Sequence, residues 1–354
     1  MRSLAKNEYS VIRLGGRPIL ALTAGSKRWR WFGIGRYQPS TLKRRLFQWA
    51  IRLAIVTGLD VCLFPPRPIS WNMPTSDSVA DLLDHLLGLV GCPQTKAVMV
   101  WPPEVSRERL YIHLLRQDMF PLAFAKLSFD EFNDERLSVE TRALRALQEL
   151  KPRQCRVPAV LDAGLFRSRQ YLVVEAVPTD ARPVKISYAS FPTASVQEYS
   201  GKMEVVSSDT LCRFAWWRRY EGAIALNTQF ARDVETARRS PTRVCRVHGD
   251  LGPANILRSS TGLWIVDWEE SCEQAPLLTD FVSYYLGINS RRIIKNPIRG
   301  LRDFATRFLC GTKEDRHAAV MALAFLHGTG FGAANHLIGA WNTSRGRRYI
   351  HGIL

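Results

Sequence analysis

The stretch from Arg246 to Trp268 reads RVHGDLGPANILRSSTGLWIVDW and places three oxygen-bearing side chains in one short unit. A mostly apolar run leads into a loop that two glycines and a proline interrupt, and an extended segment resumes at Asn255. After a turn at 259–262, a buried strand ends at Asp267. A hairpin of that length brings its two ends together, so we expect Asp250, Asn255 and Asp267 to converge. Two carboxylates and a carboxamide are hard oxygen ligands, which suit Mg²⁺ held partly by substrate phosphates.

The motif H-G-D-L-x-x-x-N-I-L at 248–257, followed by I-V-D-W-E at 265–269, resembles a known pair of segments. They are the catalytic loop and the metal-binding segment of the aminoglycoside phosphotransferase and choline kinase family, which are relatives of protein kinases. The resemblance implies that Asp250 is the catalytic base for an acceptor hydroxyl, and that Asn255 and Asp267 bind Mg²⁺ under nucleotide phosphates. The alternative is a polar hairpin with turn-forming Asp and Asn.

Length and charge limit the class of protein. A chain of 354 residues exceeds the usual size of a single core, so we expect two lobes or a domain with an extension. The formal net charge of +17 favours anionic partners such as nucleotides and lipid headgroups. Nucleic acid is not favoured, because no reader motif accompanies the charge. Seven scattered cysteines without a C-x-x-C pair indicate neither a disulfide framework nor a zinc site, and they favour a cytoplasmic location.

The front part, residues 1 to 95, is predicted to be a basic extension. Residues 11–23 suggest a hairpin around Gly15-Gly16, and Ser40 or Thr41 is suited to cap a helix over 42–52. That helix is amphipathic, which leaves two interpretations open. It either packs its apolar face on a neighbouring lobe or lies on an anionic membrane, in which case the protein is peripheral at the inner membrane face. This part also weakly resembles phosphotransferase-like proteins of bacterial surface-polysaccharide clusters.

Residues 96 to 178 are predicted to form a five-stranded antiparallel nucleotide-binding lobe. The third strand, 121–129, carries Lys126, which must reach a polar partner because its strand is otherwise apolar. A helix follows, with Asn133 or Ser138 as its cap. In the resembled family, the lysine of this strand holds the α- and β-phosphates and a glutamate of the next helix braces it. Glu140 fits that role, and Glu135 is the alternative.

The resemblance also assigns the hinge after the fifth strand, with Glu175, Ala176 and Val177 binding the nucleotide. One departure from the family pattern is the turn at 102–107, which lacks the glycines that let backbone N–H groups approach phosphate.

Residues 179 to 354 are predicted to form the catalytic, mainly helical lobe. It begins with a linker or flap over 179–207, followed by a long helical stretch over 210–239. Asp280 fits a structural aspartate that opens and caps the next helix. Either Glu269, Glu270 and Glu273 recognise a cationic acceptor, or they belong to a solvated loop.

We therefore expect an α+β, bilobal protein-kinase-like fold. The expected activity is transfer of the γ-phosphoryl group of ATP, or GTP, with Mg²⁺, to a hydroxyl of a sugar, amino sugar or aminoalcohol. The alternative is an inactive kinase-like binding or scaffold protein at an anionic membrane surface. The sequence leaves the acceptor and the oligomeric state open.

Overall fold

The computed structural model describes residues 8–37, 41–68, 79–92, 95–101, 109–225 and 228–351. The chain forms two compact units. The first, called the sheet unit, comprises residues 1–145 and 158–180, and the second, called the helical unit, comprises residues 146–157 and 181–354. The predicted α+β class, with an antiparallel sheet lobe and a mainly helical lobe, is confirmed.

The sheet unit contains eight strands within its described residues. Its elements are β1 Glu8–Leu14, β2 Arg17–Thr23, α1 Lys27–Ile34, α2 Leu42–Thr57, α3 Asp60–Leu63, β3 Arg67–Pro68, α4 Val79–Val90, β4 Lys96–Val100, β5 Arg109–Leu115, β6 Pro121–Ser128, α5 Glu131–Leu150, β7 Val160–Phe166 and β8 Arg169–Glu175. The strand order is β3-β1-β2-β4-β5-β6-β8-β7, and every pair is antiparallel.

The front segment contributes to this sheet. The predicted hairpin is present as β1 and β2, and its turn uses Gly15 and Gly16, both with positive φ, as a type I′ turn requires. Strand β2 then pairs with β4, so the front segment and the predicted nucleotide-binding lobe share one sheet. The division into 1–95, 96–178 and 179–354 stays a prediction.

Helices cover both faces of the sheet. On β4, Ala97 and Met99 pack in one apolar cluster with α4, whereas Val98 and Val100 pack in another with α1 and α2. Successive side chains of a strand point to opposite faces, so a strand covered on both sides is apolar throughout.

The helical unit begins with two small sheets. Its elements are β9 Arg182–Pro183, α6 Thr193–Ser200, β10 Glu204–Val206, α7 Ser208–Leu211, α8 Ala215–Ala223, α9 Gln229–Arg238, β11 Thr242–Val247, β12 Ile256–Ser259, β13 Gly262–Ile265, β14 Cys272–Pro276, α10 Thr279–Lys295, α11 Pro297–Phe308, α12 Lys313–Gly328, α13 Gly332–Trp341 and α14 Ser344–His351. The two sheets have the orders β10-β11-β14 and β13-β12-β9.

Three elements of the structure differ from those predicted. The stretch 210–239 is not one helix, because α7, α8 and α9 divide it. Residues 179–207 are not only linker, since they include β9, α6 and β10. Helix α5 starts at Glu131, and the side chain of Asp130 accepts the N–H of Asn133 at 2.7 Å, so Asp130 provides the capping interaction and neither predicted cap does.

The aromatic residues of α8 belong to the core of the helical unit. Trp216, Trp217 and Tyr220 are buried, and Trp216 packs against Phe325 of α12 with ring centroids 5.6 Å apart. Gly328 of α12 permits the close approach of the α8 backbone, because a Cβ atom there would lie 2.9 Å from the backbone nitrogen of Tyr220.

Candidate active site

The loop that carries Asp250 is held between two small sheets. Strand β11 leads into it and pairs with β14, and β12 leads out of it and pairs with β13. The backbone N–H of Val266, next to Asp267, donates to the carbonyl of Asn255 at 3.0 Å. The start and the end of the β12–β13 hairpin are therefore adjacent, as expected from the sequence.

Asn255 contacts Asp250 directly. Its Nδ2 donates to the backbone carbonyl of Asp250 at 2.8 Å and lies 3.4 Å from Oδ2 of the same residue. Because the amide nitrogen faces Asp250, the amide oxygen remains as an acceptor on the other side of the group. That orientation suits a cation ligand, since Mg²⁺ binds carboxylate and amide oxygens.

Asp267 has a strained backbone. Its φ is 69°, in the left-handed region that residues other than glycine rarely adopt. Such conformations cost on the order of 1 kcal/mol or more and are concentrated at functional sites. Asp267 is half-buried, as are Asp250 and Asn255. The three residues thus supply two carboxylates and an amide oxygen, a set that fits Mg²⁺; the assignment of these ligands stays a prediction.

His248 has a structural position beneath this loop. It is fully buried, and its Nε2 lies 2.9 Å from the carbonyl of Val266, whereas its Nδ1 accepts the N–H of Asp250 at 3.3 Å. The tautomer with hydrogen on Nε2 satisfies both contacts. The ring also packs on Trp268, with centroids 4.6 Å apart. His248 therefore ties the Asp250 loop to the segment between β13 and Asp267.

Asp280 has a different role from the one predicted. Helix α10 starts at Thr279, and its N-terminus shows no side-chain capping bond. Instead, the buried carboxylate of Asp280 accepts the N–H groups of His248 and Gly249, each at 2.9 Å. It also accepts the hydroxyl of Tyr199 at 2.7 Å. Bonds to an ionised acceptor are the stronger kind, so Asp280 fixes the loop rather than its own helix.

Tyr199 is a member of the site that the sequence did not indicate. Burial, with the Asp280 carboxylate adding to it, raises the pKa of Tyr199 well above its ordinary value. Its ring stands edge-on to Trp268 at 5.0 Å. A tyrosine in α6 carries no spacing signal that relates it to a loop some fifty residues later, so only the fold reveals it.

The sheet unit contains the predicted lysine pair. Nζ of Lys126 lies 2.9 Å and 2.8 Å from the two carboxylate oxygens of Glu140, and both side chains are buried. Glu135 lies on the exposed side of α5, so Glu140 is the partner. Strand β6 is an interior strand of the sheet, paired with β5 on one side and with β8 on the other. A nucleotide-phosphate contact of Lys126 stays a prediction.

The two other regions predicted to contact the nucleotide are the turn at 102–107 and the hinge after β8. The glycine-free turn at 102–107 lies outside the described residues. The hinge residues Glu175, Ala176 and Val177 are half-buried where the chain leaves β8, shortly before it enters the helical unit at 180/181. Their nucleotide contacts also stay predictions.

The three glutamates after Asp267 differ from one another. Glu269 is buried, whereas Glu273 is exposed and lies 3.7 Å from Arg246. The carbonyl of Glu270 lies against Gly249, where a Cβ atom would come within 2.1 Å of it. They therefore do not form one exposed acidic patch, and the recognition of a cationic acceptor by all three together loses its support.

A cleft of about 930 Å³ lies in the helical unit and is strongly basic. Its lining includes Arg292, Arg299, Arg302, Arg307 and Arg345. Asp303, which also lines the cleft, lies 2.8 Å from Arg292.

One wall of this cleft is aromatic. Tyr188 and Tyr285 are stacked with centroids 6.2 Å apart, and the guanidinium of Arg307 lies 4.0 Å from the centre of the Tyr188 ring. Burial, with Tyr188 adding to it, raises the pKa of Tyr285 to about 12. The basic runs at 291–295 and 345–348 were visible in the sequence, but only the packing of α10, α11 and α14 brings them into one cleft.

The sequence matches no protein-family model, and no curated protein matches it. Among solved structures, the chain is similar to an aminoglycoside 3′-phosphotransferase of type VIII, with 16% identity, a TM-score of 0.43, and coverage of 69% of this chain and 98% of that one. It is similar to an aminoglycoside phosphotransferase from Streptomyces rimosus, with 16% identity, a TM-score of 0.39 and coverage of 70% and 98%.

A glucosamine kinase solved with glucosamine, ADP and inorganic phosphate is also similar, with 10% identity, a TM-score of 0.38 and coverage of 74% and 95%. With identities of 16% or less and TM-scores below 0.5, these likenesses carry no argument about this chain.

Proposed function

We propose that the protein is a phosphotransferase that moves the γ-phosphoryl group of ATP, or GTP, to a hydroxyl group of a small molecule. The observation that carries the proposal is the contact of Asn255 with Asp250 at the base of a hairpin whose other end is Asp267. A base and two cation ligands in one short loop are what phosphoryl transfer requires. A structural hairpin has no need of a strained aspartate at its end.

Asp250 is assigned the role of catalytic base. Its carboxylate aligns the acceptor hydroxyl and takes its proton. The N–H of Asp250 donates to His248 and its carbonyl accepts from Asn255, and these two bonds hold the loop. Asn255 and Asp267 would hold Mg²⁺, which when bound neutralises charge on the nucleotide phosphates. Lys126, braced by Glu140, is assigned to the α- and β-phosphates, and Glu175, Ala176 and Val177 to the nucleotide base.

The charge of the acceptor is a separate question. The expected acceptors are sugars, amino sugars and aminoalcohols. The burial of Glu269 and the pairing of Glu273 with Arg246 weaken the case for recognition of a cationic acceptor by these glutamates. The acceptor panel therefore needs neutral, cationic and phosphorylated sugars in parallel.

The test is phosphoryl transfer from labelled ATP or GTP with Mg²⁺ across that panel. We expect one acceptor class to accept the label, and omission of Mg²⁺ to abolish transfer. Mg²⁺-dependent nucleotide binding without turnover on any acceptor would instead indicate a kinase-like binding or scaffold protein. Absence of both nucleotide binding and transfer would refute the assignment of the loop.

A further inference from the structure

Helix α2 carries two apolar stripes, and the fold uses only one of them. Ile51 and Ile55 are buried in the cluster that covers the sheet. The second stripe consists of large side chains that are between 50% and 74% exposed: Leu42, Leu46, Trp49, Leu53 and Val56. Their spacing of four and three residues places them along one face of the helix. Packing on the neighbouring sheet therefore explains the inward stripe and leaves the outward one unexplained.

The exposed surface continues beyond α2. Leu59 precedes α3, Val61 and Leu63 lie within it, and all three are exposed. Trp31 of α1 is exposed as well, and the guanidinium of Arg52 lies 5.3 Å from its ring centre, which links α1 to α2. We call the outward stripe with these four residues the apolar ridge. A patch of this kind on a soluble protein marks an interaction surface.

The charges around the apolar ridge have one sign. In residues 24–37 and 41–63 the only carboxylate is Asp60, which is buried and paired with Arg30 at 2.6 Å. The same residues hold eight cations, which are Lys27, Arg28, Arg30, Arg36, Lys43, Arg44, Arg45 and Arg52. At about 100° per residue, Lys43 and Arg45 fall on opposite sides of the stripe that starts at Leu42.

We propose that the apolar ridge docks on the surface of an anionic lipid bilayer. Leucine and tryptophan side chains would enter the boundary between headgroups and acyl chains, and the flanking cations would contact the lipid phosphates. A second copy of the chain fits this surface poorly, because face-to-face contact would bring cations against cations with no exposed carboxylate there to pair with them. Within the described residues, no helix is long and apolar enough to cross a membrane.

The test is flotation of the full-length protein with vesicles of phosphatidylcholine alone and with about one third phosphatidylglycerol. We expect binding to the anionic vesicles only. A cation near an anionic surface contributes about a fivefold change in binding. The Lys43→Glu, Arg45→Glu double variant should therefore reduce vesicle binding by at least tenfold, and Leu46→Ser combined with Trp49→Ser should do the same.

Matched control variants distinguish an effect of the apolar ridge from a general effect of net charge or of exposed apolar side chains on vesicle binding. Arg347→Glu with Arg348→Glu makes the same charge change on exposed residues of the helical unit, and Leu165→Ser removes an exposed leucine from β7. Both controls should float like the wild type. Urea unfolding should be unchanged in all variants because the substituted side chains are exposed.

Three results would overturn the proposal. The first is equal flotation with neutral and anionic vesicles, and the second is an equal loss of binding in the controls. The third is that the wild type does not bind vesicles and sediments as a dimer, whereas the Leu46→Ser, Trp49→Ser variant sediments as a monomer. That result would assign the apolar ridge to contact with a second copy of the chain. None of these readouts depends on phosphoryl transfer, so the surface and the active site are tested separately.

Discussion

Gly249 shows how closely one residue determines the shape of the catalytic loop. Its φ is +83°, and a Cβ atom would lie 2.1 Å from the carbonyl oxygen of Glu270. We expect Gly249→Ala to destabilise the protein by about 1–3 kcal/mol through strain alone, and to displace the loop. Gly252→Ala is the matched control, because its φ is −114° and nothing lies within 4 Å of a Cβ atom there. Equal unfolding midpoints for the two variants in urea would contradict this interpretation.

The buried pair of Lys126 and Glu140 allows stability and function to be separated. Lys126→Met removes the ammonium group that pairs with the buried Glu140 carboxylate, so a loss of about 3–5 kcal/mol is expected. The double variant Lys126→Met, Glu140→Leu should regain much of that loss, yet it should remain defective in phosphoryl transfer. Denaturation and transfer assays on the single and double variants measure the two effects.

Glu135→Leu serves as the control for that series, since Glu135 lies on the exposed side of the same helix. We expect it to keep both stability and activity. If the double variant were as unstable as the single one, the ion pair would not be the reason for the loss.

For individual side chains, some contacts were predicted correctly and others were not. The approach of Asp250 and Asn255 was expected from the hairpin, and the pairing of Lys126 with Glu140, with Glu135 as the alternative, from the resemblance to the kinase-like family. Asp280 was expected to cap its own helix, and instead it accepts backbone bonds from His248 and Gly249. An aspartate at the start of a helix is compatible with either role, and the segment of the protein that packs against it decides which role it takes.

Among the elements, strands were predicted more closely than helices. The hairpin around Gly15-Gly16 and the strands from β4 to β8 follow from apolar runs between turns. The stretch 210–239 was expected to be one helix because its residues suit helices, yet it forms three short ones. Trp216, Trp217 and Tyr220 of the middle helix pack in the core, and local propensity does not encode such tertiary packing.

Strand β5 adds a dependence of stability on pH. Burial, with Arg36 adding to it, lowers the pKa of His113 from 6.5 to about 3, and its ring packs on Phe124 at 4.8 Å. The unfolded chain binds a proton below about pH 6.5 that the folded chain does not. The contribution of His113 to the free energy of unfolding is therefore complete above about pH 6.5 and is lost as the pH falls towards 3.

We expect the free energy of unfolding to fall by up to about 2 kcal/mol between pH 7 and pH 5 on account of His113. The variant His113→Gln should lack that part of the decrease. Urea denaturation of both proteins at the two pH values measures it. An identical decrease in the two proteins would show that His113 does not titrate in this way.

For the whole molecule, the α+β class with an antiparallel sheet and a mainly helical part was predictable from the order of apolar runs and from the motif. The pairing of β2 with β4, which joins the front segment to the same sheet, was not. Long-range strand pairing leaves no local signal in a single sequence. The amphipathic character of α2 was visible, but which of its apolar residues face outward became clear only from their exposure.

The central claim is that Asp250 is the base of a phosphoryl transfer. The most direct test compares the wild type with Asp250→Asn for transfer from Mg²⁺-ATP to the acceptor that the panel identifies, together with nucleotide affinity. Asp209→Asn, an exposed aspartate of α7, is the control. We predict that Asp250→Asn lowers the transfer rate by about 10²–10⁴-fold, with nucleotide affinity and the control unchanged. Transfer at the wild-type rate by Asp250→Asn would contradict the account.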